Sequence, residues 1–411
     1  MATKTGLDLL HERSFVDCDT LDEEVVKAFG PFHDCTANQA LVVTELSKPG
    51  NQELIREALI IENKLLPRFP TVDCFQLAVE ITTVKLALKI VPYIKGYVHV
   101  QANPEYAYDT GKTTANGIRI VHIFQYLAPW FDPTRICFQK PSTWEGLMAC
   151  NTLEIAGVRT SATALFTFDQ AILATEMGCT YVAPYVNQLN VRIEQQDVPA
   201  YRGPASSYDQ IKEINDLHRV EHSQKLLSQC ADIQRSFEDP PTRTKVIVSS
   251  LTSTKEVFAL AGAHHITIPP ELLQKLSVPG STPETTSLFD AKPTIADEIM
   301  LIAKRKQVRY QPVRTVYAKD EAKYRAAFGQ ADGGAGVIKL TQAIGLFRKM
   351  QGELIRLVIQ QHLMVQEENV NKQERRIICG PRQDLPPSGR EEGDNDQNLQ
   401  GSLNKEVEYS S

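Results

Sequence analysis

What most constrains this 411-residue chain is a repeated alternation of short apolar runs with longer amphipathic stretches. Runs at Ser14–Asp19, up to Thr36, and at Tyr97–Gln101, Arg135–Gln139, Arg159–Leu165, Thr180–Tyr185, Lys245–Ser249 and His265–Ile268 read as strands. Helical periodicity fills the intervals at Leu21–Phe29, Gln39–Leu46, Gln52–Leu65, Val72–Ile94, Thr113–Leu127, Thr143–Ala156, Phe168–Glu176, Tyr208–Phe237 and Lys255–Ala261. Roughly eight strand–helix units in succession predict α/β architecture, a (β/α)8 TIM barrel. Additional C-terminal helices are expected near Asp320–Phe328 and Val337–Gln366. An open doubly wound sheet carries the same alternation, so periodicity alone leaves both arrangements standing.

Three segments follow: an N-terminal extension (1–13), the barrel with its covering helices (14–366) and a charged tail (367–411). The tail carries RQDLPPSGREEGDNDQ and is expected to be disordered, because it buries too little apolar surface to offset its ordering entropy. Val278–Ile295 is rich in Pro, Ser and Thr and reads as an excursion or lid.

A hydrophobic fraction of 42% and a charged fraction of 23% suit a globular chain with a sizeable core. The net charge of −6 argues against nucleic acid or an anionic membrane as main partner. The expected partner is a small-molecule substrate, with a homodimer as an option. The eight cysteines form no Cys-x-x-Cys pair and read as buried free thiols in a reducing compartment. The opening MATKTGLDLLHERS lacks the apolar core of a signal peptide, and no run approaches membrane-spanning length, so a cytoplasmic location is expected. His264 and His265 adjoin a strand end with no Cys or carboxylate at metal-ligand spacing, so no metal is expected. Gly333-Gly334-Ala335-Gly336 reads as a flexible helix start rather than a phosphate cradle.

Strand side chains alternate between faces, and parity sorts them. Val16, Cys18, Val98, Val100, Ile136, Phe138, Ala162 and Ala164 suit the helix side. Phe15, Asp17, Asp19, Tyr97, His99, Gln101, Cys137, Gln139, Ser161, Thr163, Leu165, Tyr181, Ala183 and Tyr185 then face inward. Polar residues collect at the carboxyl ends of the inward faces: Asp19, Gln101, Gln139 and Thr163, with Asn38 after the second strand. Barrel enzymes place their chemistry at that rim.

Several of these stretches resemble the transaldolase family. PSTWEGLMAC (Pro141–Cys150) is similar to the signature that follows its lysine strand. SATALFTFDQAILATEMGCTYVAPYVN, VDCDTLD, DCTANQAL and YVHVQANPEYAYDT resemble other strand ends of that family, in order, over roughly Ser14–Leu363. The flavour is that of fungal transaldolase-like sequences, some belonging to specialised-metabolite pathways. The resemblance implies a class I aldolase that transfers dihydroxyacetone between sugar phosphates through a lysine Schiff base, without metal or cofactor. It implies that Asp19 handles protons, Thr36 and Asn38 hold the dihydroxyacetone unit, and Thr163 helps position a catalytic water. Ala183 and Tyr185, on the sixth strand, would line the substrate pocket.

Four positions depart from the family pattern. Gln139 stands where the resemblance places the lysine, Gln101 where it places a glutamate, and Ser161 where it places an asparagine. Gln188 and Thr252 stand in place of the phosphate-binding arginines. An amide nitrogen is not nucleophilic, so Gln139 can position or polarise but cannot form an iminium. Lys140 is the obvious substitute, yet parity points it to the outer face unless a bulge at the strand end re-aims it. A reactive Lys140 would also need its pKa lowered by several units. Three functions stay open: carbon–carbon bond chemistry through Lys140, probed by borohydride trapping; another enzyme class acting through Asp19, Gln101 and Gln139 on an unphosphorylated metabolite; and a non-catalytic pseudoenzyme.

Overall fold

A computed structural model of the chain describes residues 4–187, 225–238, 241–281, 283, 285–290 and 317–378. Eight strands, β1 (Phe15–Asp19), β2 (Cys35–Thr36), β3 (Val98–Gln101), β4 (Ile136–Pro141), β5 (Arg159–Leu165), β6 (Tyr181–Pro184), β7 (Lys245–Val248) and β8 (His265–Ile268), pair in sequence order. Every pairing is parallel, and β8 returns to β1 with Phe15 opposite His265. The sheet is therefore a closed barrel rather than an open doubly wound sheet.

The helices in chain order are α1 (Gly6–His11), α2 (Glu23–Phe29), α3 (Gln39–Leu46), α4 (Gln52–Leu65), α5 (Cys74–Ile90), α6 (Thr110–Leu127), α7 (Trp144–Ile155), α8 (Phe168–Glu176), α9 (residues 225–238), α10 (Thr254–Ala259), α11 (Pro270–Leu276), α12 (Glu321–Gln330) and α13 (Ala335–Ile378). Side-chain caps start many of them where a strand has just ended. Asp22, Asn38, Asp109, Thr143, Thr167 and Ser253 each accept from the otherwise unpaired amides of a first helical turn. The same short polar residues that mark strand ends thus fix where the surrounding helices begin.

The parity expectation holds along most of the wall. One apolar cluster packs between sheet and helices and contains Val16, Cys18, Val98, Val100, Ile136, Phe138 and Ala162. A separate, smaller cluster inside the barrel contains Cys137, Tyr181, Ala183 and Ile247, with Tyr97 against it. Two residues assigned inward also belong to the first cluster: Tyr185, which lines the mouth cavity as well, and Leu165, which does not. The register of β5 against β6 shifts between Ala162 and Leu165, and Ala164 takes a positive φ of 49°. That irregularity turns Leu165 outward, because one extra residue reverses the alternation.

The structure adds detail beyond the sequence reading. The N-terminal extension contains α1, which has a Thr5–Asp8 capping box and buries Leu7 and Leu10. The described part of Val278–Ile295 packs beside α1 and the end of α10, not over the barrel's carboxyl-end rim. Thr5 bridges Pro279, Arg13 pairs with Asp290, and the Leu288 amide donates to the Ala259 carbonyl. Residues 291–295 lie outside the described residues, as does most of the expected helix before residue 225. The chain forms two units, Met1–Met364 and Val365–Ser411. Helix α13 runs on to Ile378, past the expected tail boundary at 367; the rest of the tail lies outside the described residues. Gly336 sits in the first turn of α13 because a Cβ there would lie 2.3 Å from Thr167 Cγ2. That close packing accounts for the glycine without any phosphate.

Candidate active site at the barrel mouth

The carboxyl ends of the strands enclose a cavity lined by Asp19, Thr36, Asn38, Gln139, Ser161, Thr163, Ala183 and Tyr185. Eight of the ten residues singled out from the sequence therefore meet in one place. The register explains it: Asp19 lies opposite Thr36, Gln101 opposite Gln139, Gln139 opposite Ser161, and Pro141 opposite Thr163. Gln101 lines an adjoining cavity that shares Ala37 and Asn38 with the first.

Strands β7 and β8 add Ile247, Ser249, Ser250 and Thr267, which the sequence reading missed. The signal was available for Thr267. Ile266 and Ile268 belong to the helix-side core, so His265 and Thr267 must face inward.

Asp19 is held by a relay of hydroxyls. Thr36 Oγ1 donates to Asp19 Oδ1 at 2.9 Å, and the Thr36 and Thr267 hydroxyls are 2.6 Å apart. With the Thr36 proton committed to the carboxylate, Thr267 is the donor of that second bond. Asn38 Oδ1 accepts from the Ala40 and Leu41 amides at 3.0 and 3.2 Å. Its carbonyl is thus occupied as a helix cap, and its amide nitrogen is the group left to donate to a ligand. Thr163 Oγ1 donates to the Tyr185 hydroxyl at 3.0 Å.

Gln139 Nε2 lies 3.2 Å from His99 Nδ1, and His99 Nε2 lies 3.2 Å from Asp34 Oδ2. Asp34 can only accept, so His99 carries its proton on Nε2 and accepts from Gln139 on Nδ1. One Gln139 N–H is used in this way and a second remains. The Gln101 side chain has neither its oxygen nor its nitrogen paired, and the Ser161 hydroxyl is also unpartnered, though all are buried. Buried polar groups without partners are costly, and at a cavity wall they are the atoms a polar ligand would satisfy.

Lys140 is placed apart from this group. It is fully buried but does not line the mouth cavity. Its stem lies against α7, where a Cβ on Gly146 would stand 3.1 Å from Lys140 Cγ. Pairing of β4 with β5 continues without a shift through Lys140–Ala162 and Pro141–Thr163, so no bulge re-aims it. The irregularity falls on β5 instead. Its amine has no hydrogen-bond partner, and burial pulls it down to about 7, against weak opposing pulls from Cys150 and Asp109. The electrostatic requirement for a reactive lysine is met, and the orientation is not.

Gln188 lies outside the described residues. Thr252 donates its backbone amide to Glu256 at 2.7 Å, and Asn187 also reaches that carboxylate. Trp144 makes a tilted ring contact with Tyr324 of α12, with ring centroids 5.5 Å apart, and is a packing residue. The described cysteines are all free thiols, six of them buried.

An eight-stranded parallel barrel with a polar cavity at its carboxyl-end rim defines a TIM-barrel protein with a small-molecule site in the usual place. The chain belongs to the transaldolase/fructose-6-phosphate aldolase family, whose model matches residues 16–329. It is 28% identical to a transaldolase of Prochlorococcus marinus (strain NATL1A) over 272 residues, 66% of this chain and 76% of that one. It is 24% identical to a transaldolase of Protochlamydia amoebophila (strain UWE25) over 347 residues, 84% of this chain and 94% of that one. Both relatives are bacterial and lend no support to the fungal branch expected from the motifs. Among the described residues no helix is long and apolar enough to cross a membrane.

Proposed function

We propose that this protein carries out aldol-type carbon–carbon bond chemistry on a small, unphosphorylated hydroxy-carbonyl metabolite, in specialised biosynthesis, without a lysine iminium. The observation that carries this reading is the make-up of the mouth. One carboxylate, Asp19, faces neutral hydrogen-bonding side chains, and the described lining residues include no lysine or arginine. Phosphate recognition favours charge-assisted donors, and this lining offers hydroxyls and amides suited to a neutral polyol.

In the cleavage direction, Asp19 takes the proton from the hydroxyl β to the substrate carbonyl. The carbon–carbon bond breaks as that oxygen becomes an aldehyde, and the electron pair moves onto the carbonyl oxygen as an enolate. The spare N–H of Gln139, with the Ser161 hydroxyl and the Gln101 amide, donates to that oxygen. Preorganised donors of this kind stabilise charge that develops in the transition state. The proton on Asp19 then returns to the enolate carbon.

The test is borohydride reduction with dihydroxyacetone or fructose 6-phosphate, read by mass spectrometry. No lysine adduct is expected. In parallel, dihydroxyacetone and fructose should raise the melting temperature of the wild type, and Asp19→Asn should lose that response. An adduct on Lys140, or stabilisation by the phosphorylated sugar alone, overturns the reading. A different acid–base reaction on the same Asp19 is the second reading, favoured by the hydroxyl relay through Thr36 and Thr267. It predicts stabilisation by polyols without aldol turnover.

A further inference from the structure

At the opposite end of the barrel, four side chains from distant parts of the chain converge. Asp17 comes from β1, His33 and Asp34 precede β2, and His265 opens β8. One potential ligand atom from each lies within 4.8 Å of all the others. His265 Nδ1 is 2.9 Å from Asp17 Oδ2, and His33 Nδ1 is 2.7 Å from Asp34 Oδ1.

We propose that Asp17, His33, Asp34 and His265 form a site for one divalent transition-metal ion of the zinc type, which ties the β1–β8 seam to the segment before β2. Two imidazole nitrogens and two carboxylate oxygens are a donor set that such ions accept in tetrahedral geometry. Ring placement fits. Two imidazoles bound about 2.1 Å from one tetrahedral ion have centroids roughly 5 Å apart. Those of His33 and His265 are 5.1 Å apart, at an interplanar angle of 76°.

Charge fits as well. Two carboxylates, both fully buried, carry two negative charges in a small volume. With neutral imidazoles, one divalent ion balances them. The supporting groups are those that hold ligands in place. Tyr97 donates its amide to Asp34 Oδ1 at 2.8 Å, the Asp34 amide donates to Asp17 Oδ1 at 2.9 Å, and His99 donates to Asp34 Oδ2. At Gly96 a Cβ would lie 2.0 Å from Asp34 Oδ1 and 2.6 Å from the His33 ring, so the backbone approaches the cluster as only glycine can. The His33 side chain is 30% exposed and gives an ion a way in, while exposed Phe15 makes tilted ring contacts with both imidazoles.

The experiment uses the full-length protein stripped with a chelator and titrated separately with zinc chloride and cobalt chloride. The expected result is saturable binding of one ion per chain, a tetrahedral cobalt visible spectrum without a thiolate charge-transfer band, and a higher melting temperature with zinc. His33→Ala and Asp17→Asn should each weaken binding by at least about tenfold. His33→Ala keeps the test sound if the buried Asp17→Asn variant fails to fold. Absence of saturable binding, a thiolate band, or unchanged affinity in His33→Ala overturns the proposal. The cluster lies away from the mouth, so either outcome leaves the reading of Asp19 and Gln139 to its own trapping experiment.

Discussion

Replacing Lys140 with methionine should make the protein more stable, and the gain should shrink as pH rises. Methionine keeps the unbranched stem against Gly146 and removes a buried amine that has no partner. An ordinary lysine titrates near 10.5, and burial holds Lys140 at about 7. At about 1.36 kcal/mol per pH unit, that gap corresponds to an unfavourable contribution on the order of 5 kcal/mol when the amine is charged in both states. Between pH 7 and 10.5 the unfolded chain binds more protons at this residue than the folded one, so wild-type stability rises with pH across that window. The contribution is about 4 kcal/mol at pH 7 and about 2 kcal/mol at pH 9. Urea denaturation of both proteins at pH 7, 8 and 9 reads it directly. The advantage of Lys140→Met should fall by about 2 kcal/mol from pH 7 to pH 9. A variant less stable than wild type at pH 7, or a difference that does not change with pH, would mean that the amine is paired or solvated. The placement of Lys140 against α7 would then be wrong.

Gln139→Lys puts an amine on the inward face beside Ser161. It should yield a borohydride-trapped dihydroxyacetone adduct at residue 139, where the wild type yields none; no adduct would show that the mouth does not admit the ketose. Arg119 makes two charge-assisted bonds to buried Glu80, at 2.5 and 2.7 Å. Arg119→Leu leaves Glu80 with the neutral amides of Asn116 and Gln76 and without its countercharge, and should cost about 3–5 kcal/mol in denaturant unfolding, whereas a loss under about 1 kcal/mol would mean that Glu80 is hydrated. Asn38→Ala removes the cap of α3 and should cost about 1 kcal/mol of stability, while the thermal shift with dihydroxyacetone disappears. A retained shift would remove Asn38 from the binding group.

Much of the site was legible because strands alternate. Once β4 was read as a strand, Gln139 and Lys140 had to face opposite ways, and the packing of Lys140 against Gly146 agrees. Asp19, Gln139, Ser161 and Thr163 were found by the same rule, applied at the carboxyl ends of β1, β4 and β5, whereas Thr36 came from the family resemblance. Leu165 escaped it because a register shift is set by how β5 fits β6, not by the composition of β5. No helix was read in the N-terminal extension, because a six-residue helix has little periodicity of its own; burial of Leu7 and Leu10 against the rest of the chain is what holds α1.

By itself the sequence determined the succession of strands and helices, the face on which most strand side chains lie, and the placing of Asp19 and Gln139 inward with Lys140 outward. These are local properties, written in periods of two and 3.6 residues. Tertiary structure decided what no local pattern contains. Barrel closure sets His265 beside Asp17 across 248 residues of chain, and it brings Asp34 between them and His99. The histidine that looked partnerless for a metal at sequence spacing acquires two carboxylates and a second imidazole only when β8 meets β1. Closure likewise gave Lys140 its depressed titration, since α7 excludes water from an amine that parity alone had merely turned away.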